Sequence, residues 1–186
     1  MSTTETNDTE RRDFLYIATG AVGAVGAALT AWPFIDQMNP DASVLALSSV
    51  EVDLSPIAEG QNLVVKWRGN PVIIRHRTAK ELEESNAVPV EDRKDPLARN
   101  ANVKDSDPAT DANRVVGDKE KYLVMLGVCT HLGCVPIGDA GDFGGWFCPC
   151  HGSHYDIAGR IRLGPAPTNL PVPPYQYLSD TKIRIG

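Results

Sequence analysis

Two short runs hold all four cysteines and three of the four histidines of the chain. The first is Cys129-Thr130-His131-Leu132-Gly133-Cys134, and the second is Cys148-Pro149-Cys150-His151-Gly152-Ser153-His154-Tyr155-Asp156. Each run offers a thiol and an imidazole at close spacing, C-x-H and then C-x-x-H, with 16 residues between His131 and Cys148. Each also carries one extra cysteine. A c-type haem needs C-x-x-C-H, and the nearest run here is one residue short; a thioredoxin-like C-x-x-C is absent. A nucleophilic cysteine paired with a distant histidine would leave the second Cys and His unused. Two chemistries account for the whole pattern. One is a structural zinc in a Cys2His2 site. The other is a binuclear iron–sulfur centre with one iron on two cysteines and the other on two histidines. Zinc does not explain why the extra cysteines flank the ligands.

The elements that must position these runs read as strands. Val50, Val52 and Leu54 alternate with polar residues, and Leu63–Trp67 and Val72–Ile74 flank the turn residues Arg68, Gly69, Asn70 and Pro71. Tyr122–Leu126 is a strong strand, with shorter ones at 161–163 and 183–185, and Lys80–Glu84 predicts a short helix. Glycine and proline total 30 residues, which favours loops and strands over a helical bundle. Between Lys80 and Asp118 lie ten acidic and six basic residues, and residues 86–114 hold few large apolar side chains. This stretch reads as a solvated insertion. His76 reads as solvent-facing and His154 as a loop residue. The fold class expected is all-β and antiparallel, a head spanning residues 48–186. A net charge of −6 argues against a nucleic-acid partner.

The head is preceded by an anchor. Residues 14–35 run for 22 positions without a charge, about 33 Å of helix against a hydrocarbon core of about 30 Å. A transmembrane helix is expected over 14–36, after a cytoplasmic tail over 1–13 and before a flexible tether over 37–47. Arg11 and Arg12 hold the tail in the cytoplasm and place the head outside it. The same pair opens Arg-Arg-Asp-Phe-Leu, which resembles a twin-arginine export signal; positive-inside charge alone explains it equally well.

The two runs resemble those of Rieske proteins, and among them the bacterial quinol-oxidising type of cytochrome bc1 complexes, whose patterns C-T-H-x-G-C and C-P-C-H-G-S-x-Y-D match at every position. The order of anchor, tether and head matches too, and residues 86–114 are similar in place to an insertion of the bacterial members. The resemblance implies a β-sandwich head with a cluster-binding subdomain over about 127–167 and one [2Fe–2S] cluster per chain. Cys129 and Cys148 would ligate one iron, and His131 and His151 the other. It further implies a Cys134–Cys150 disulfide and hydroxyl donors Ser153 and Tyr155 aimed at the sulfur atoms. Gly164, Pro165, Ala166 and Pro167 are similar to the proline loop that covers the cluster. The function implied is one-electron transfer from ubiquinol, bound at a site on cytochrome b, to a c-type cytochrome (c1), with His151 and His131 at the site of proton release. The chain would then be the catalytic iron–sulfur subunit of a dimeric complex in the bacterial inner membrane, with its head in the periplasm. The charge arithmetic agrees with this: a centre with two thiolates and two neutral imidazoles is formally neutral when oxidised, whereas four thiolates make it a dianion. A neutral centre accepts an electron more readily. A soluble Rieske ferredoxin would lack the anchor and the extra cysteine pair.

Overall fold

The computed structural model describes residues 6–42, 44 and 48–186. The chain forms two compact units, Met1–Leu45 and Ala46–Gly186. The first is built on helix α1 (Thr6–Asp36), which starts well before the uncharged run because nothing in its polar first turns breaks a helix. Within it Glu10–Asp36 is long and apolar enough to cross a membrane, and none of its residues is buried. Residues 43 and 45–47 of the expected tether lie outside the described residues.

The second unit contains strands β1 (Val50–Asp53), β2 (Asn62–Trp67), β3 (Asn70–His76), β4 (Tyr122–Leu126), β5 (Ile137–Gly138), β6 (Gly144–Cys148), β7 (Ser153–Asp156), β8 (Ile161–Leu163), β9 (Tyr175–Ser179) and β10 (Lys182–Ile185). They form antiparallel sheets in the orders β1-β10-β9, β2-β3-β4 and β5-β6-β7-β8. The β2–β3 turn is shorter than expected, since Asn70 and Pro71 already pair with Trp67 and Lys66.

The sheet β2-β3-β4 is the structural divider. Successive side chains of a strand point to opposite faces. Val72 and Ile74 of β3, with Tyr122 and Val124 of β4, enter one core with Val52, Leu54, Tyr175, Ile183 and Ile185. Ile73, Leu123 and Met125 point the other way, into a second core with Trp146, Tyr155, Ile161, Leu170, Cys129 and Cys148. Burial on both faces is why these strands read as unbroken apolar runs rather than as alternating ones. β4 therefore carries the chain from the base sandwich directly into the first cysteine run.

Helix α2 (Ala79–Asn86) starts at a capping box: the Glu81 N–H donates to Thr78 Oγ1 at 3.2 Å and the Thr78 N–H to Glu81 Oε2 at 2.9 Å. It leads into the insertion, and here the expectation of a solvated excursion holds only in part. Ala98, Ala109, Asp111 and Arg114 are buried, the last completely. The segment is welded to the head by polar groups instead of apolar ones. Arg77 grips Asp111 through two bonds of 2.6 and 2.7 Å, and Ser85 Oγ donates to the same carboxylate. Arg114 donates to the carbonyls of Ala98, Ala158 and Leu170, tying the insertion to the second core. Arg160 bonds Asp156 Oδ2 at 2.7 Å and the Ser85 carbonyl at 2.7 Å.

Burial alone would raise the Asp111 carboxyl, but the Arg77 guanidinium and the Ser85 hydroxyl more than reverse this and hold it below the ordinary range. Asp95 is held down similarly, by Arg99 and the N–H groups of Asn169 and Leu97 acting against burial. A carboxylate depressed in the folded chain stabilises it above about pH 4, the unfolded value, and that contribution is lost as pH falls further. Asp111→Asn strands the buried Arg77 charge and should cost about 3–5 kcal/mol at neutral pH. Urea unfolding of the full chain in detergent will read this as a lower midpoint at pH 7, with a difference from the unmodified chain that shrinks as the pH is taken below about 4.

Candidate metal centre

Each cysteine run folds as a tight loop at the end of a strand. The first follows β4, and there the Gly133 N–H donates to the Cys129 carbonyl at 2.9 Å and the Cys129 N–H to the Cys134 carbonyl at 2.7 Å. The second joins β6 to β7, and the Gly152 N–H closes it on the Cys148 carbonyl at 3.0 Å. Gly133 and Gly152 sit at φ of 81° and 71°, a left-handed conformation that glycine adopts without a Cβ penalty. Two loops of the same design thus present Cys129 and Cys148 inward and the histidines outward. Cys134 and Cys150 are joined in a disulfide that clips the loops together, while Cys129 and Cys148 remain as free, buried thiols. The sulfur atoms of Cys134, Cys148 and Cys150 lie within 4.8 Å of one another, but the disulfide takes the first and last out of any ligand set.

The loops converge. The rings of His131 and His151 stand 4.6 Å apart and perpendicular, and Cys129 and Cys148 lie buried in the same core. Burial pushes the Cys129 thiol up, but the Tyr155 hydroxyl, the His131 N–H and the Ser153 hydroxyl together bring it below its ordinary value. Cys148 stays above its own, through burial and the neighbouring Cys129, against N–H groups of Cys150 and His151. Tyr155 is fully buried, 3.3 Å from Cys129 Sγ, and its oxygen accepts the Thr130 N–H at 3.4 Å, which leaves the phenolic proton for the sulfur. Its own ionisation is pushed up, by burial first and then by Cys129, so it remains a donor.

Two histidines outside the pairs depart from expectation. His154 lies in β7, its ring packed edgewise on Phe147 and its Nδ1 accepting the Asp142 N–H at 3.2 Å. His76 is half-buried at the end of β3, with Nδ1 2.8 Å from the Ile57 carbonyl and its ring 4.5 Å from that of Tyr122. Sequence reasoning also missed a part for Thr130, whose hydroxyl donates to the Thr168 carbonyl at 2.7 Å and holds the covering proline segment onto the first loop. Its partner is 38 residues away, and no spacing signals it.

Across residues 90–175 the chain matches the family model of the Rieske [2Fe-2S] domain. Residues 1–41 match a second model, described as a ubiquitinol-cytochrome C reductase Fe-S subunit TAT signal. The head is a Rieske domain, and its cofactor is a [2Fe–2S] cluster. The chain is 54% identical over 187 residues to the ubiquinol-cytochrome c reductase iron-sulfur subunit of Blastochloris viridis, covering 100% of this chain and 98% of that protein. To the subunit of the same name from Bradyrhizobium diazoefficiens it is 58% identical over 177 residues, covering 95% and 94%. Among solved structures, a chain of a hyperthermophilic respiratory Complex III matches with a TM-score of 0.51 and 25% identity, covering 90% of this chain and 98% of that one. The chain belongs to the family of ubiquinol-cytochrome c reductase iron-sulfur subunits.

The donor set fits such a cluster. Two free thiols are buried in one core, one of them 3.3 Å from a phenol donor, and Nδ1 of His131 is buried without any hydrogen-bond partner. A buried imidazole nitrogen left bare is costly unless something else bonds it, and a metal does so. The Cys134–Cys150 clip closes a loop of similar length to one for which chain entropy gives about 3 kcal/mol. Cys134→Ser should therefore lower the thermal midpoint and the iron retained per chain, both measurable on the purified protein. Tyr155→Phe and Ser153→Ala remove donors that favour the more negative, reduced centre. Each should leave the cluster assembled and shift its midpoint potential to a more negative value in an EPR-monitored redox titration.

Proposed function

We propose that the chain carries single electrons from ubiquinol to a c-type cytochrome as the catalytic iron–sulfur subunit of a cytochrome bc1 complex, with Cys129, Cys148, His131 and His151 as cluster ligands. The cluster, once bound, supplies the one-electron acceptor. Everything else is done by the protein. The observation that carries the reading is the split in burial among the four side chains: Cys129 and Cys148 are 2% exposed, whereas His151 is exposed and His131 is partly so. With Nδ1 of each imidazole holding the metal, Nε2 would be the ring nitrogen left at the surface, a hydrogen-bond donor in the neutral ring and able to take up the proton that quinol oxidation releases only after giving up its own. His151, the more exposed, is the acceptor of choice, with His131 beside it. Leu132, next to His131 in the chain and 71% exposed, gives this tip an apolar side chain suited to docking over a quinol site on cytochrome b.

The partners follow from the same reading: cytochrome b at the oxidation site, cytochrome c1 as electron acceptor, and a dimeric assembly. Helix α1 anchors the chain once across the bacterial inner membrane, with the head in the periplasm and residues 37–47 as its tether. Arg11 and Arg12 then serve as a twin-arginine signal, which suits a head that must fold around its cofactor before export. The disulfide agrees with a compartment outside the cytoplasm.

Low-temperature EPR on the ascorbate-reduced chain, with iron and zinc counted in the same sample, tests this directly. A rhombic [2Fe–2S] signal reducible by ascorbate supports the high-potential assignment; zinc without iron, in cells competent for cluster assembly, overturns it. In membranes containing the complex, Tyr155→Phe should also slow ubiquinol-dependent cytochrome c reduction.

A further inference from the structure

The insertion reaches the proline segment beside the cluster site through residues 94–97. Lys94 extends its ammonium to the Gly164–Pro167 segment, donating to the carbonyl of Ala166 at 2.9 Å and to that of Gly164. Among the described residues it has no carboxylate at ion-pair distance, so these two carbonyls are its partners. The next residue grips the same segment farther on. Asp95 Oδ2 accepts the Asn169 N–H at 3.0 Å, and the Asn169 side chain donates to the Asp95 and Leu97 carbonyls at 3.1 and 2.8 Å. Residues 94–97 thus hold the proline segment at both ends from outside, while the Thr130 hydroxyl holds it from the first loop.

What the segment does on its inner side gives this grip its meaning. Ala166 is fully buried, and its N–H donates to Ser153 Oγ at 3.1 Å. Gly164, at φ of 98°, lies so close to the second loop that a Cβ there would stand 2.3 Å from the Gly152 carbonyl oxygen. A hydroxyl whose oxygen is occupied by an N–H has its proton free to turn elsewhere. Ser153 is itself buried and pairs with Cys148 across the β6–β7 ladder, beside the candidate centre.

We propose that Lys94 is a positioning residue for the redox centre: by fixing the Gly164–Pro167 segment it keeps the Ala166 N–H on the Ser153 oxygen, and so leaves the Ser153 hydroxyl proton for the sulfur atoms of the centre. The inference rests on the reading of Cys129 and Cys148 as cluster ligands and of Ser153 as a donor to the sulfur atoms of that centre. Lys94 contacts neither the cluster ligands nor substrate, and its effect passes through Ser153. That route separates it from a lysine acting by charge through space, whose contribution would add independently to that of Ser153.

The test uses the full chain, purified with its cluster, in four forms: unmodified, Lys94→Met, Ser153→Ala and the double variant. Redox titration followed by EPR should show a more negative midpoint potential in Lys94→Met, with unchanged iron per chain. The shift should be no larger than that of Ser153→Ala, and the double variant should be no more negative than Ser153→Ala alone. Lys94→Arg, which keeps donors at similar reach, should restore the unmodified potential. An unmoved potential in Lys94→Met, or additive shifts in the double variant, overturns the proposal. Should Lys94→Met fail to retain its cluster, Lys94→Gln, which cannot reach both carbonyls, enters the same cycle under the same criteria. Absence of any cluster signal in the unmodified chain would instead remove the functional reading on which the inference stands.

Discussion

A thiolate taken out of water must be given hydrogen-bond donors, and the head is organised around that requirement. Cys129 and Cys148 sit at the edge of the second core among Trp146, Tyr155 and Leu170, an apolar setting that penalises charge. The compensation comes from pieces that are far apart in the chain: a backbone N–H within the loop, a phenol from β7, and a serine hydroxyl at the start of β7. Each donor oxygen is in turn occupied by an N–H, from Thr130 for Tyr155 and from Ala166 for Ser153, so its proton is directed rather than shared. Loop closure by Gly133 and Gly152, the disulfide clip and the proline cover all serve to keep these donors on the sulfur atoms.

How much of this could be read from the sequence depends on how locally it is encoded. The four ligand candidates and the two spare cysteines were legible because each loop is a closed turn whose members lie within a few residues of one another. The strands at 63–67, 72–74 and 122–126 were legible from β-branched and apolar runs, and the two-faced burial of β3 and β4 explains why those runs do not alternate. β6, β7 and β9 were not, since they are rich in glycine and polar residues and hold their place through pairing with neighbours. The helix at 79–86 was visible only in part, though its Thr78–Glu81 box was present in the sequence.

The insertion shows where composition misleads. Between residues 86 and 114 charge is abundant and large apolar side chains are few, which in most chains means solvent. Here the charges are the packing. Arg77 with Asp111, and Arg160 with Asp156, are buried pairs with each guanidinium further satisfied by carbonyls or hydroxyls, the condition under which a buried ion pair is tolerated. Arg114 is bonded to three carbonyls and stands beyond any single pairing, and burial accordingly pulls its guanidinium down to about 10. Partners separated by 34, 44 and 56 residues leave no periodic trace. No reading of local pattern finds them.

The placement of the four metal-binding candidates gives the centre two sides with different work. On the inner side the thiols meet oriented donors and a dry core, so the affinity for an electron is set by groups that solvent does not reach. On the outer side His151 is exposed and His131 partly so, next in the chain to the exposed Leu132, and under the proposed reading a ring nitrogen there exchanges a proton. A site with all four ligands buried could be tuned but could not release protons through its ligands. One with all four exposed could exchange protons but would lose its oriented donors to water. Putting cysteine and histidine in the same short loop, with the cysteine at the strand end and the histidine toward the tip, produces both sides at once. Under the proposed ligand assignment, the electron and the proton are then handled by different residues of the same centre.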